Sequence, residues 1–252
     1  MVTYFLLFVS RSCGLSVPGL SVRALGTKEA PSLSGLQETV GLMRRHSSTK
    51  DMSDLDLAWF ARDRKGDVEA AVAKVEKWRD WRRTFGGLAR DRRGLKKIAS
   101  EEARKRVGYL APQRDALGRP AVIVVARRHS VSSRSLASSQ ALCVDVLEDA
   151  VAALTDIDGV EQFVAIVDLR HVGADQVDIQ FLLWLVSTLR SYYPKRLGQV
   201  ALVDPPTLIF KTAWALIEPA LGKHAALVRL LKANDLQRQY FPKGNLPPDL
   251  DF

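Results

Sequence analysis

Apolar residues recur on two different periods along this chain, and the change of period divides it. From Ser53, Leu55, Leu57, Trp59 and Phe60 crowd into a short helical run that ends in a charged break from Arg62 to Gly66. Asp67 stands where an N-cap belongs. After it Val68, Val72, Val75, Trp78, Arg82 and Phe85 recur at three- and four-residue steps until Gly86-Gly87 stops the pattern. Residues 88–108 read as a basic helix or linker. Asp115-Ala-Leu-Gly-Arg-Pro120 then predicts a turn into a strand rich in valine and isoleucine over 121–126. Beyond it the pattern predicts helices over 135–154, 176–193 and 207–221, and strands over 162–169, 199–203 and 228–231. Strands that are nearly all apolar and alternate with helices predict an α/β fold. Its mostly parallel sheet is covered by helices, with a small helical N-terminal cap.

The chain of 252 residues with 47% hydrophobic content is large enough for one ordinary core. Its longest apolar runs, 4–9 and 181–186 among them, are six residues and fall far short of the roughly 20 that cross a bilayer. Two cysteines, Cys13 and Cys143, suggest neither a disulfide framework nor a zinc site, so a reducing compartment is expected. The net charge of +9 is uneven: residues 111–252 hold 15 basic and 15 acidic groups, so the whole excess lies before them. A solvated helical face accounts for that excess, and attraction to an anionic surface is the alternative. The first 28 residues hold no acid and suit an organelle transit peptide, placing the protein in a plastid or mitochondrion. Read instead as a disordered extension, residues 1–50 leave the protein cytoplasmic. The cap would then occupy 51–108 and the α/β domain 109–252.

Signatures of chemistry fail when tested singly. No Gly-x-Gly-x-x-Gly follows a strand, and Gly222-Lys223 lacks the other residues of a phosphate loop. There is no Gly-x-Ser-x-Gly elbow, and neither cysteine has an arginine six residues later. His46, His129 and His224 are isolated and lack metal spacing. Asp168 with His171, just past a predicted strand, is the best acid–base pair. Its bland reading has Asp168 paired with Arg170 and His171 on the surface. Trp59, Phe60, Trp78 and Phe85 fall in apolar runs or stripes and serve packing better than base stacking, which argues against nucleic acid as a partner. No catalytic residue, cofactor or metal ligand is assigned.

The unit Tyr192 to Asp204, YYPKRLGQVALVD, followed by Pro205-Pro206 and TLIFKTAWALIEPAL, carries the strongest signal. Pro194 ends a helix, Gly198 is expected to free the turn, a buried strand follows, and a very apolar helix restarts after the prolines. This order resembles the CRAL-TRIO lipid-binding family. LDLAWFARDRKGDVEAAVAKVEKWRDWRRTFG is similar to that family's helical N-terminal part, and the Asp-x-x-Gly-Arg-Pro turn also matches. The resemblance runs from Leu55 to Phe241. It implies binding and transfer of a phospholipid or isoprenoid-type ligand by a monomer that visits membranes transiently. The helix over 207–221 would act as a mobile gate above an apolar cavity floored by the sheet. Phe181, Leu208, Phe210, Trp214, Ile217 and Leu221 are the lipid-contacting candidates, and Tyr193, Lys195 and Arg196 the headgroup or membrane contacts. Phosphatidylinositol-transfer members have Glu after Tyr-Tyr-Pro and a later Lys; here Lys195 and the Leu227–Val228 region stand at those positions. The glycine-rich closure of the family is replaced by Asn245 to Phe252. With a helical N-terminal part that is brief, the chain is reduced at both ends, which supports an alternative, a noncatalytic protein-interaction module on the same fold that recruits a protein through its basic N-terminal helices.

Overall fold

The computed structural model describes residues 33–156, 160–241 and 245–250. Three helices, α1 (Leu33–Met43), α2 (Asp54–Asp63) and α3 (Val68–Thr84), share one apolar cluster. Asp67 is the N-cap expected, accepting from the Ala70 N–H at 2.9 Å, and Ser53, where the helical pattern starts, also caps by accepting from the Asp56 N–H at 3.1 Å. Past α3, Phe85, Gly86 and Gly87 all take left-handed φ and end the helix.

The extent of the cap differs from the expected 51–108. Leu36, Val40 and Met43 lie at i, i+4 and i+7 and are buried in the cap's core, so the folded chain starts before residue 51. The transit-peptide reading concerns residues outside those described. At the other end, α4 (Arg92–Arg104) belongs to the α/β core. Its Leu95 and Ala99 pack against α5 (Leu136–Ala152).

Five strands lie side by side in chain order: β1 (Gly108–Arg114), β2 (Pro120–Val125), β3 (Phe163–Asp168), β4 (Leu197–Val203) and β5 (Val228–Leu231). β2 to β5 run parallel and β1 pairs antiparallel with β2. β1 escapes sequence reading because Pro112 interrupts it. At an edge, beside a register irregularity between Leu110 and Arg114, the missing N–H is tolerated. The turn from β1 to β2 is built on Asp115, which accepts the Leu117 and Arg119 N–H groups at 3.0 and 2.8 Å.

The crossovers β2–α5–β3, β3–α6 (Ile179–Tyr192)–β4 and β4–α7 (Thr207–Leu221)–β5 all step in one direction. Crossovers of one hand then put all three helices on one face of the sheet. The other face carries Ile123, Val125, Val164, Ile166, Ala201 and Val203, all fully buried. They are sealed by Leu236 and Tyr240 of α8 (Ala233–Tyr240), with Phe241 and Leu250. So residues 245–250, unlike the family's usual closure in sequence, still close the core: Leu250 is fully buried, and Asp249 takes Arg106 at 3.0 Å and Arg128 at 2.5 Å.

Burial alone would raise the Asp249 carboxyl, but hydrogen bonds from Arg128 and Arg106 outweigh it and hold it well below the usual range. A carboxyl with a depressed folded pKa stabilises fully above its unfolded value, about 3.9, and loses that contribution as pH falls toward the folded value. Asp249→Asn is therefore expected to lower stability at neutral pH. In urea titrations the gap from wild type should close steadily below about pH 4. A gap independent of pH would assign the loss to packing instead.

Gly198 does not serve as the flexible turn residue; the left-handed position there is Lys195, at φ 61. What Gly198 provides is closeness, since a Cβ there would lie 2.9 Å from Oε1 and 3.1 Å from Cβ of Gln162. The Gln162 amide in turn donates to the Lys195 carbonyl at 2.9 Å. Gly198→Ala is expected to cost about 1–3 kcal/mol through displacement of Gln162. An unchanged denaturation midpoint would show that Gln162 yields freely.

Candidate functional site

The two faces of the sheet are sealed unequally. Along β3, Val164 and Ile166 point away from the crossover helices and are fully buried, while Ala165 and Val167 point toward them and stay partly accessible. β4 repeats this: Ala201 and Val203 are fully buried, Val200 and Leu202 are not. Register extends the pattern across strands into rows, Val124–Val167–Leu202–Leu230 and Val122–Ala165–Val200–Val228. Val124, Val167 and Leu202 of the first row are half-buried, and Leu230 at its end is 46% exposed. Helices that pack tightly would cover such a row completely.

The helices above this surface show the matching deficiency. α6 is mostly apolar, yet Thr188 is its one buried residue. α7 has no buried residue at all. On α7 the half-buried positions Ile209, Phe210, Ala213, Trp214, Ile217, Ala220 and Leu221 form one continuous stripe, and Thr207, Leu208, Lys211, Thr212, Ala215 and Leu216 face out. Pro206 gives α7 no side-chain cap, and Pro219 interrupts its last turn. Its principal packing is against α6 and the turn after it, so little anchors this helix to the sheet.

Four of the six lipid-contacting candidates, Phe210, Trp214, Ile217 and Leu221, share the inward stripe. Phe210 and Trp214 stack with ring centres 5.6 Å apart. Phe181 lies half-buried on α6, 5.6 Å from Trp184. Leu208 is different: at 80% exposure it faces solvent and shares no surface with the other five. Helical period separates it from them, a signal already present in the sequence.

The three headgroup candidates also separate. Tyr193 is buried, and its hydroxyl donates to Glu148 Oε1 at 2.8 Å, while Arg82 pairs with that same carboxylate. Burial, then Glu148, pushes the Tyr193 phenol well above its ordinary range. Arg196 is buried, pairs with Asp56 and lies 4.7 Å from the Trp59 ring centre. Burial lowers the Arg196 guanidinium to about 10. Both residues thus spend their polar groups inside the protein, and Lys195 alone of the three is exposed.

Lys195 belongs to a basic region that sequence reading missed. Arg64, Lys74, Lys77 and Arg190 line a groove of about 740 Å³ between α3 and α6. Lys74 donates to Asp63 at 2.5 Å and to the Arg190 carbonyl at 3.0 Å, and burial lowers its pKa. His224 is held low by burial and then by Lys223, Arg190 and Lys195. These residues come from four separate stretches, so no run of charge in the sequence announces them.

The acid–base pair dissolves in the structure. Asp168 Oδ1 accepts the Arg170 backbone N–H at 3.0 Å and its Nε at 2.8 Å, and Oδ2 takes Nη2 at 2.9 Å together with Arg127. His171 is exposed. Burial works against the charged form, yet these arginines hold the Asp168 carboxyl below its ordinary value. Cys143 is a free thiol that burial pushes up to about 12, which leaves it a poor nucleophile. Among the described residues no cluster could hold a metal ion, and no helix is long and apolar enough to cross a membrane.

The family model described as CRAL/TRIO domain matches residues 104–251. Among solved structures, the crystal structure of Sfh5 superposes with a TM-score of 0.61 at 12% sequence identity, covering 82% of each chain. At that identity the likeness is one of fold.

Proposed function

Because the chain belongs to the CRAL/TRIO family of lipid-binding domains, we propose that it holds a hydrophobic lipid between the inward stripe of α7, α6 and the half-covered face of the sheet. One observation carries this reading. The row Val124, Val167 and Leu202 is incompletely covered, although the residues between them on the opposite face are sealed. An apolar surface left open beneath two apolar helices fits an apolar guest.

Energetics favour a carrier with a gate. Each methylene leaving a bilayer forfeits about 0.8 kcal/mol, so a sixteen-carbon chain needs about 12 kcal/mol of replacement burial. An apolar enclosure can supply it. α7 is the segment able to move, because it lacks a side-chain cap and buries no residue fully. Its outward Leu208 and Leu216, 80% and 56% exposed, would enter the membrane interface when the gate opens. Lys195, Lys223 and Arg190 at the neighbouring basic region would face an anionic headgroup or surface. Chemistry plays no part in this transfer.

Native mass spectrometry with lipid extraction tests the reading, using the full chain purified from eukaryotic cells without detergent. The full length matters, since cutting at residue 51 would remove α1 and its buried Leu36, Val40 and Met43. A stoichiometric co-purifying lipid is expected. An empty, stably folded protein that cannot take lipid from liposomes would favour the noncatalytic interaction module.

A further inference from the structure

We propose that the outward face of α4 is a docking surface for an acidic, extended segment of a partner protein. The inner face of α4 is fully committed. Leu95 and Ala99 are buried, Ser138 Oγ donates to the Ile98 carbonyl at 2.9 Å, and Arg92 reaches Asp145 and Asp149 at 2.5 and 2.8 Å. The outer face exposes Arg93, Lys96, Lys97 and Arg104, with Arg90 just before the helix. None of these five has an ion-pair partner among the described residues. Glu101, the acid on that side, is already drawn to Lys105 at 3.1 Å.

The charge pattern of α4 sets this face apart. Asp91 caps the helix by accepting the Gly94 N–H at 2.8 Å, but the first turn after it holds no acid and Arg93 stands there near the positive end of the helix dipole. Arg93 also repels Lys96 at i+3 and Lys97 at i+4. An external anion would relieve that repulsion. At 1.5 Å per residue, Arg93 to Arg104 spans about 16 Å, which matches about five residues of extended peptide.

Charge and composition favour a protein segment over other anions. Of the five exposed leucines among the described residues, Leu183, Leu208, Leu216 and Leu230 lie on α6, α7 and β5 and Leu117 in the β1–β2 turn, while α4 itself exposes no large apolar residue. α4 packs on α5 and touches β1, the sheet edge opposite β5. Neither α4 nor the segment leading into it presents an exposed aromatic ring on which bases could stack.

The test is fluorescence anisotropy of the full chain with a labelled octaglutamate peptide at 50 and 300 mM salt. Binding is expected to weaken at least tenfold between those salt concentrations. It should weaken at least tenfold in the combined variant Arg93→Glu, Lys96→Glu, Lys97→Glu and Arg104→Glu. A charge-matched control, Arg45→Glu, Lys50→Glu, Lys65→Glu and Arg238→Glu, should stay within threefold of wild type. Circular dichroism melts of both variants show whether they are folded. Equal losses in the two variants, or no binding by wild type, would overturn the proposal. So would tighter binding of phosphatidylserine vesicles or single-stranded DNA that the α4 variant abolishes. The result is independent of whether the protein carries lipid, since an empty chain presents the same face.

Discussion

Trp214→Asp is expected to abolish extraction of lipid from liposomes while the protein stays folded. Trp214 stacks on Phe210 in the inward stripe of α7, where an aspartate would place a charge in the proposed lipid space. An unpaired carboxylate in such surroundings is strongly disfavoured, so a bound acyl chain and that charge cannot share the space. The fold should tolerate the change, because no residue of α7 is fully buried. Lipid transfer should fall at least tenfold, and the thermal midpoint should move by no more than about 4 °C, the shift that ~1 kcal/mol produces in a domain of this size. Leu208→Asp sharpens the test from the opposite face. Leu208 is 80% exposed, so its variant should keep a lipid already loaded yet exchange it more slowly with membranes. Unimpaired transfer by Trp214→Asp would remove the lipid assignment. Loss of loaded lipid from Leu208→Asp would mean that α7 lies differently on its ligand.

Trp59→Ala is expected to destabilise the whole protein by about 3–5 kcal/mol, the range for deleting a large buried aromatic. Trp59 is 3% exposed and joins the cap to the α/β layer: Arg62 lies 5.1 Å and Arg196 4.7 Å from its ring centre. Both arginines continue across the seam, Arg62 to Glu161 at 2.7 Å and Arg196 to Asp56. Removing the ring leaves a void between two guanidiniums that are themselves nearly enclosed. Elsewhere the seam is tied by Trp81 stacked on Tyr192 at 4.4 Å and by Lys74 on the Arg190 carbonyl at 3.0 Å. So many cross-connections predict that cap and layer unfold together. Urea denaturation of Trp59→Ala should show one transition at lower midpoint with an unchanged slope. Two resolved transitions would show that the cap unfolds independently. A loss under about 1 kcal/mol would show that the arginines collapse into the space, since the size of such losses depends on how well the site can close.

Much of this architecture was legible along the chain. Ser53 and Asp67 cap the helices they precede, the Asp115 turn forms as expected, and the bounds 207–221 and 228–231 are those observed. Each rests on interactions within a few residues, which a sequence displays directly. The inward stripe of α7 was legible in part, because Phe210, Trp214, Ile217 and Leu221 follow helical spacing, whereas Leu208 on the outward face shows that apolar character alone is a poor guide to orientation. α1, β1 and α8 were missed for identifiable reasons. α1 has only Leu36, Val40 and Met43 to mark its inner side, β1 contains Pro112, and α8 is eight residues long with only Leu236 and Tyr240 buried.

The sequence by itself determined the order of elements, their caps and turns, and the family resemblance. Period, capping and turn chemistry act over at most a few residues. Tertiary structure alone decided where polar groups are spent. Tyr193 and Arg196 sit in a motif that suggests surface contact, yet one is claimed by Glu148 and the other by Asp56, 45 and 140 residues away. It also decided which sheet face is sealed and which is left open. Alternation along a strand marks two faces, but only the helices that land on each determine how completely it is covered.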